Sequence, residues 1–215
     1  MKEKSGTFRD TLQKYQKGEV KLEKYQKIGI FFLVVVISGF VGWLWEFILH
    51  EISGGFQNIY IEGGNLLPWV NIYAVGALLI FLTGFKFKRR PWAVFLVSAL
   101  VCGLLELFAG WFAYVCFDGA RYWDYQNSWW GIGNINGFVC PASMIAFGLG
   151  ALALIYLLLP WCIHLSQKMT KKAFLTLTTL LFVMIMTDEI VNLILKILDH
   201  PTAMNLYESW GWKYK

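Results

Sequence analysis

Apolar residues in this chain run in long unbroken blocks, and the polar residues are gathered between them. Neither the two-residue alternation of a half-buried strand nor the narrow stripe of a surface helix is present. A helix needs about 20 predominantly apolar residues to cross a bilayer. Five stretches meet or approach that length: 28–49, 68–85, 91–115, 139–163 and 173–198. The second is the shortest and begins at Pro68. The pattern predicts an all-α fold, a polytopic membrane bundle of about five transmembrane helices. Residues 1–27 then form a basic amphipathic cytoplasmic or interfacial segment, 28–198 the transmembrane domain, and 199–215 an extracytoplasmic tail.

Composition excludes the alternatives. Of 215 residues, 57% are apolar and 15% charged, against about 45–50% and about 25% in soluble domains. There is too little polar surface to cover a water-exposed globule. A soluble enzyme, a disordered chain and a disulfide scaffold all fall away.

Charge sets the predicted topology. Residues 1–27 hold eight Lys/Arg, 86–90 four and 164–172 three. On the opposite side the 50–67 loop has none, the 116–138 loop has Arg121 alone, and the tail has Lys213 and Lys215. Under the positive-inside rule the N-terminus is cytoplasmic and the C-terminus outside. The net charge of +5 therefore reflects topology, and no nucleic-acid partner is expected. The first block has no small-x-small cleavage site and carries Glu46, so it reads as a retained anchor. Before it, Phe8, Leu12, Tyr15 and Leu22 recur at helical spacing. An interfacial helix on anionic lipid is the favoured reading; a docking site for a cytoplasmic partner is the other.

The spans contain acids. Glu46 lies late in the first, Glu106 past the middle of the third, and Asp188 and Glu189 past the middle of the fifth. At 1.5 Å per residue, Glu46, Glu106 and Glu189 lie roughly 23–27 Å from their cytoplasmic ends, a common depth. Each acid near the bilayer centre costs at least about 2.5–3.5 kcal/mol. In one reading the acids bind a cation, an amine or a proton. In the other they hydrogen-bond to Asn192, Tyr or Trp and hold the bundle together. Glu46 and His50 share a helix face, but two ligands fall short of a metal site, and no metal or cofactor is expected. Cys116 and Cys140 flank one loop, within reach of a disulfide. Membrane cysteines are more commonly small apolar fillers.

Aromatic residues are one-sided. Trp69, Trp111, Trp123, Trp129, Trp130, Trp210 and Trp212 fall on the predicted outer side, and Trp92 and Trp161 on the inner. A lid of rings over the acids, able to grip a cation, and a thick loop resting on headgroups both fit. The first four spans also read as a parallel two-helix repeat. Gly42…Glu46 is echoed by Gly103…Glu106, and each outer loop ends in Gly-Asn, at Gly64-Asn65 and Gly133-Asn134.

From the second unit a resemblance emerges. Glu106…Gly110, Phe117…Arg121-Tyr-Trp123-Asp124-Tyr125, Gly133-Asn134-Ile-Asn-Gly137, Cys140, Ser143 and Phe147-Gly148 resemble the CmpB-like family of small bacterial membrane proteins, which are labelled ABC-transporter permeases. Gly64…Pro68 and Ile72-Tyr73…Gly76 resemble its first half, so the likeness runs from about residue 38 to 160. It implies a multi-pass protein of the bacterial cytoplasmic membrane. The chain departs from the family pattern at Gln126 in place of serine, Phe138 in place of arginine and Asn71 in place of proline. Read without the family, Arg121 and Asp124 are spaced to pair and fix the loop, and Gly131, Gly133 and Gly137 free its backbone.

The chain has no GxxxxGK[ST], so ATP hydrolysis would need a separate chain. The expected function is a membrane transport component, permease-like or substrate-capturing, for a small solute, with a cation the charge-complementary choice. Its candidate site is Glu46, Glu106, Asp188, Glu189, Arg121, Trp123, Asp124, Tyr125 and Asn134. The expected partners are membrane lipid, a separate cytoplasmic ATPase subunit and a second copy of the chain. Two alternatives stand beside it. One is a membrane enzyme using Asp124, Glu106 and His50, although no nucleophile–base pair is evident. The other is a non-transporting scaffold.

Overall fold

The five apolar blocks are helical in the computed structural model, which describes residues 6–54, 60–61, 66–119, 121–128, 130–198, 200, 209–211 and 213–214. The helices are α1 (Phe8–Lys17), α2 (Lys24–Gly54), α3 (Asn71–Thr83), α4 (Pro91–Cys116), α5 (Pro141–Ala153), α6 (Leu159–Lys168) and α7 (Lys171–Ile197). A two-residue parallel pairing joins Tyr60–Ile61 to Lys213–Tyr214. Trp129, Trp212, Gly64-Asn65, most of 199–215 and the side chain of His50 lie outside the described residues.

Among the described residues, three helices are long and apolar enough to cross a membrane: Lys24–Leu49, Pro91–Cys116 and Pro141–Lys168. The second predicted span is a shorter apolar helix, Asn71–Phe87, whose last turn tightens to a 3-10 turn at Gly84–Phe87. The fifth, α7, has 27 residues. Asp188, Glu189, Lys196 and several threonines make it more polar than the other three.

Local chemistry sets the helix starts. Pro91 and Pro141 occupy the first turns of α4 and α5, where a missing N–H costs nothing and the fixed φ suits a helix. Thr170 caps α7 by accepting from the Ala173 N–H at 3.2 Å. Within the Pro141–Lys168 helix the backbone widens to a π turn at Leu154–Leu158. Pro160 follows at once and has no N–H to return to the preceding turn, which disrupts the regular ladder there.

The chain forms two compact units, Met1–Val75 with Trp161–Lys215, and Gly76–Pro160. In the first, Val36 of α2, Trp69, Ala74 of α3 and Ile185 of α7 make a buried cluster, flanked by Phe32, Val35, Leu67 and Met186. Glycines of α2 let it form. A Cβ at Gly39 would overlap the Trp69 indole, and one at Gly42 the Tyr73 ring, whereas Gly76 faces open space. Gly42→Ala should therefore lower stability by about 1–3 kcal/mol. Gly76→Ala should be neutral or stabilising by up to about 1 kcal/mol. Thermal unfolding of the two variants in detergent checks the contrast.

The amphipathic N-terminal helix packs against α6 of the same chain. Thr11 and Tyr15 of α1 are buried. Thr11 Oγ1 lies 3.0 Å from His164 Nδ1, and the Phe8 ring meets the His164 ring edge-on at 5.8 Å. A capping box between Thr7 and Asp10 starts α1, and Gly18 ends it at φ 76°. The Thr7 backbone N–H and hydroxyl hold the exposed Asp10 carboxyl below its ordinary value.

In the second unit α4 and α5 lie against each other. On α4 the buried positions include Ala99, Cys102, Gly103, Glu106, Gly110 and Ala113. Met144 closes over Gly103, Phe138 over Gly110, and Phe95 over Gly148 of α5. The inward positions of α5 are Ser143, Gly148 and Ala151. A small-residue stripe through Ala142, Ala146 and Gly150 is an equally good sequence pattern, yet Gly150 is exposed and meets nothing. Cys116 and Cys140 are both free: Cys116 is exposed and Cys140 buried.

Candidate functional site

Glu106 is the polar centre of the second unit, 5% exposed within the apolar helix α4. The Tyr125 hydroxyl donates to its Oε1 at 2.5 Å, and the Ser143 hydroxyl donates to its Oε2 at 2.7 Å. Serine has one hydroxyl proton, so donation to Glu106 leaves the Ser143 lone pairs for the Cys140 N–H, 3.2 Å away. One carboxylate thus ties together α4, α5 and the 117–140 loop. Ser143 is the third residue of α5, which places the carboxylate beside a helix N-terminus, the end that favours negative charge.

The loop presents Tyr125 through its own bonding. Asp124 accepts from the Gln126 N–H at 2.9 Å and pairs with Arg121 at 3.5 Å. Arg121 Nη1 donates to Asn136 O at 2.9 Å. Its guanidinium lies over the Tyr114 and Phe138 rings, 5.1 and 5.0 Å from their centroids. Phe138 is thus a stacking surface for Arg121. Trp123 Nε1 donates to Phe138 O at 2.8 Å. Asn134 accepts from the Gly137 N–H at 2.9 Å. Gly137 has φ 78°, and a Cβ there would overlap Asp124 and Arg121. A Cβ at Gly131 would overlap the Tyr125 carbonyl. The Tyr125 ring meets Trp130 edge-on at 5.2 Å. Arg121, Trp123, Asp124 and Asn134 therefore shape the loop, and Tyr125 reaches the acid.

The first unit gathers the remaining acids around the start of α3. The Tyr73 hydroxyl donates to Glu46 Oε1. Asn71 Nδ2 donates to Glu189 Oε2 at 3.2 Å, and Trp69 Nε1 donates to Asn71 Oδ1. Asp188 is 7% exposed. It receives the Leu66 and Leu67 N–H groups at 3.0 and 2.8 Å and the Asn192 amide at 2.7 Å. Two successive backbone donors on one carboxylate fasten the segment before α3 to α7, a charge-assisted arrangement.

The candidate set therefore divides. Glu46, Asp188 and Glu189 belong to the first unit, while Glu106, Arg121, Trp123, Asp124, Tyr125 and Asn134 belong to the second. The acids' hydroxyl and amide partners, Tyr73, Asn71 and Ser143, were not in that set. Their legible signal is position: each lies in the first three residues of the helix after an acid-bearing span. Among the described residues, no three His, Cys, Asp or Glu side chains come together as a metal site.

A family model described as "Putative ABC-transporter type IV", the CmpB family, matches residues 31–193. No curated protein and no solved structure matches the chain.

Proposed function

The chain belongs to that family, and we propose that it is the membrane-embedded component of a transporter that passes a small, cationic solute and works with a separate ATPase chain. The observation that carries this reading is Glu106: a carboxylate 5% exposed in a span-length apolar helix, reached by a hydroxyl from a loop. An acid so placed costs insertion energy and is a functional candidate by default. Tyr125, Trp130 and Trp123 bring aromatic rings to the same loop, and ring faces attract cations.

The proposed topology has five spans, adding Asn71–Phe87 and α7, with the N-terminus in the cytoplasm of a bacterium and the C-terminus outside. At about 1.5 Å per residue, α7 is long enough. The 15 Lys/Arg on one side of the predicted spans support the orientation. The two halves also share a device, which supports a parallel repeat. In each, a glutamate late in one helix accepts from a hydroxyl at the third residue of the next: Tyr73 for Glu46 and Ser143 for Glu106.

A second reading, a scaffold, draws on the same bonds, because every acid named has a protein donor. Mild-detergent purification of the tagged protein, followed by mass spectrometry, separates the two. A near-stoichiometric ATPase is the expected result. Recovery of the protein alone, or with lipid only, overturns the ATPase-coupled reading in favour of the scaffold.

A further inference from the structure

Lysine is concentrated at one end of the first unit. Arg9, Lys14, Lys17, Lys21, Lys24, Lys27, Lys168, Lys171 and Lys172 are all exposed there, on α1, the α1–α2 connection, the start of α2, the end of α6 and the start of α7. The acids of the same segments are Asp10, Glu19 and Glu23, and Asp10 is engaged in the α1 capping box. The inward side of α1 is largely used: Thr11 and Tyr15 are buried, and Phe8, 39% exposed, has its ring edge against His164. Gln26 Nε2 donates to Ser166 O at 3.1 Å, tying the start of α2 to α6. Lys171 Nζ lies over the Tyr25 ring, 5.3 Å from its centroid.

An interfacial helix of the ordinary kind buries an apolar face in the lipid. Here the buried side of α1 rests on the protein, and the outward side, Arg9, Gln13, Lys14, Gln16 and Lys17, is polar and basic. Protein interfaces are depleted in lysine and enriched in aromatic residues and arginine, so this face is a poor protein-docking surface. Lysine clusters beside a span suit anionic headgroups. We infer that the α1 face and the α6–α7 turn form a platform that binds anionic lipid headgroups by charge alone, with α1 held in place by His164 rather than by insertion.

The test uses the full chain in nanodiscs of phosphatidylcholine, with and without added phosphatidylglycerol, and reads amide hydrogen exchange across α1. Several-fold slower exchange in the anionic discs, abolished by high salt, is expected. Lys14→Gln, Lys17→Gln and Lys21→Gln alter exposed positions only, and each should weaken the lipid preference about five-fold. Soluble glycerol phosphate should not reproduce the protection. Equal exchange in the two lipids, protection that survives high salt, or a triple variant that behaves as the parent would overturn the proposal. Protection by glycerol phosphate in neutral discs would also overturn it, showing a site for free phosphate.

Discussion

Glu106→Ala is expected to destabilise the protein by about 2–4 kcal/mol, because it removes the acceptor of two hydroxyls and opens a void between α4 and α5. The Tyr125 and Ser143 hydroxyls both donate to this carboxylate, which is only 5% exposed; the Ser143 hydroxyl can turn instead to Cys140 O at 2.8 Å. Glu106→Gln keeps the shape and one acceptor oxygen, and should cost about 1–2 kcal/mol. The glutamine variant is the informative one. In a transporter that uses the charge, it folds and loses transport and stabilisation by the cationic solute. In a scaffold, its effect ends with stability. Thermal unfolding in detergent with and without candidate amines distinguishes the two, and a folded glutamine variant with undiminished ligand response would sink the transport role of Glu106.

Asp188→Ala should cost about 2–5 kcal/mol, since it leaves the Leu66 and Leu67 N–H groups without their acceptor. The consequence extends to the start of α3. Asn71 and Tyr73, which bond Glu189 and Glu46, follow this segment directly. Faster hydrogen exchange at 66–73 should accompany the loss in stability, and Asp188→Asn, which retains one acceptor oxygen, should fall between the two. Unchanged exchange at 66–73 in a folded alanine variant would show that Asp188 does not hold the segment.

Much of this is legible in the amino-acid sequence. Apolar blocks predict helices because a bilayer leaves the backbone no partner but itself. The predicted starts at residues 91 and 173 fall within two residues of α4 and α7. Buried acids stand out because apolar spans rarely tolerate them. The family pattern is carried by local motifs, and the family match over residues 31–193 bears out that resemblance.

Side-chain direction was not legible. The stripe through Ala142, Ala146 and Gly150 and the inward positions Ser143, Gly148 and Ala151 are equally regular in sequence. Only the neighbouring α4 decides which one turns inward. The N-terminal pattern of Phe8, Leu12 and Tyr15 announces an amphipathic helix, yet an apolar face has the same spacing whether lipid or protein covers it. In α1, Thr11 and Phe8 meet His164, a contact 153 residues away that the spacing does not announce.

The sequence by itself thus determined the helical blocks, the charge asymmetry and the presence of acids within apolar segments, all properties of short stretches of chain. Tertiary structure decided what each acid touches. Tyr125 is 19 residues from Glu106, Ser143 is 37 away, and Asp188 lies 122 residues from Leu66. Hydrogen bonds across such separations exist only after the helices have packed, because closing the intervening chain costs entropy that no local pattern records.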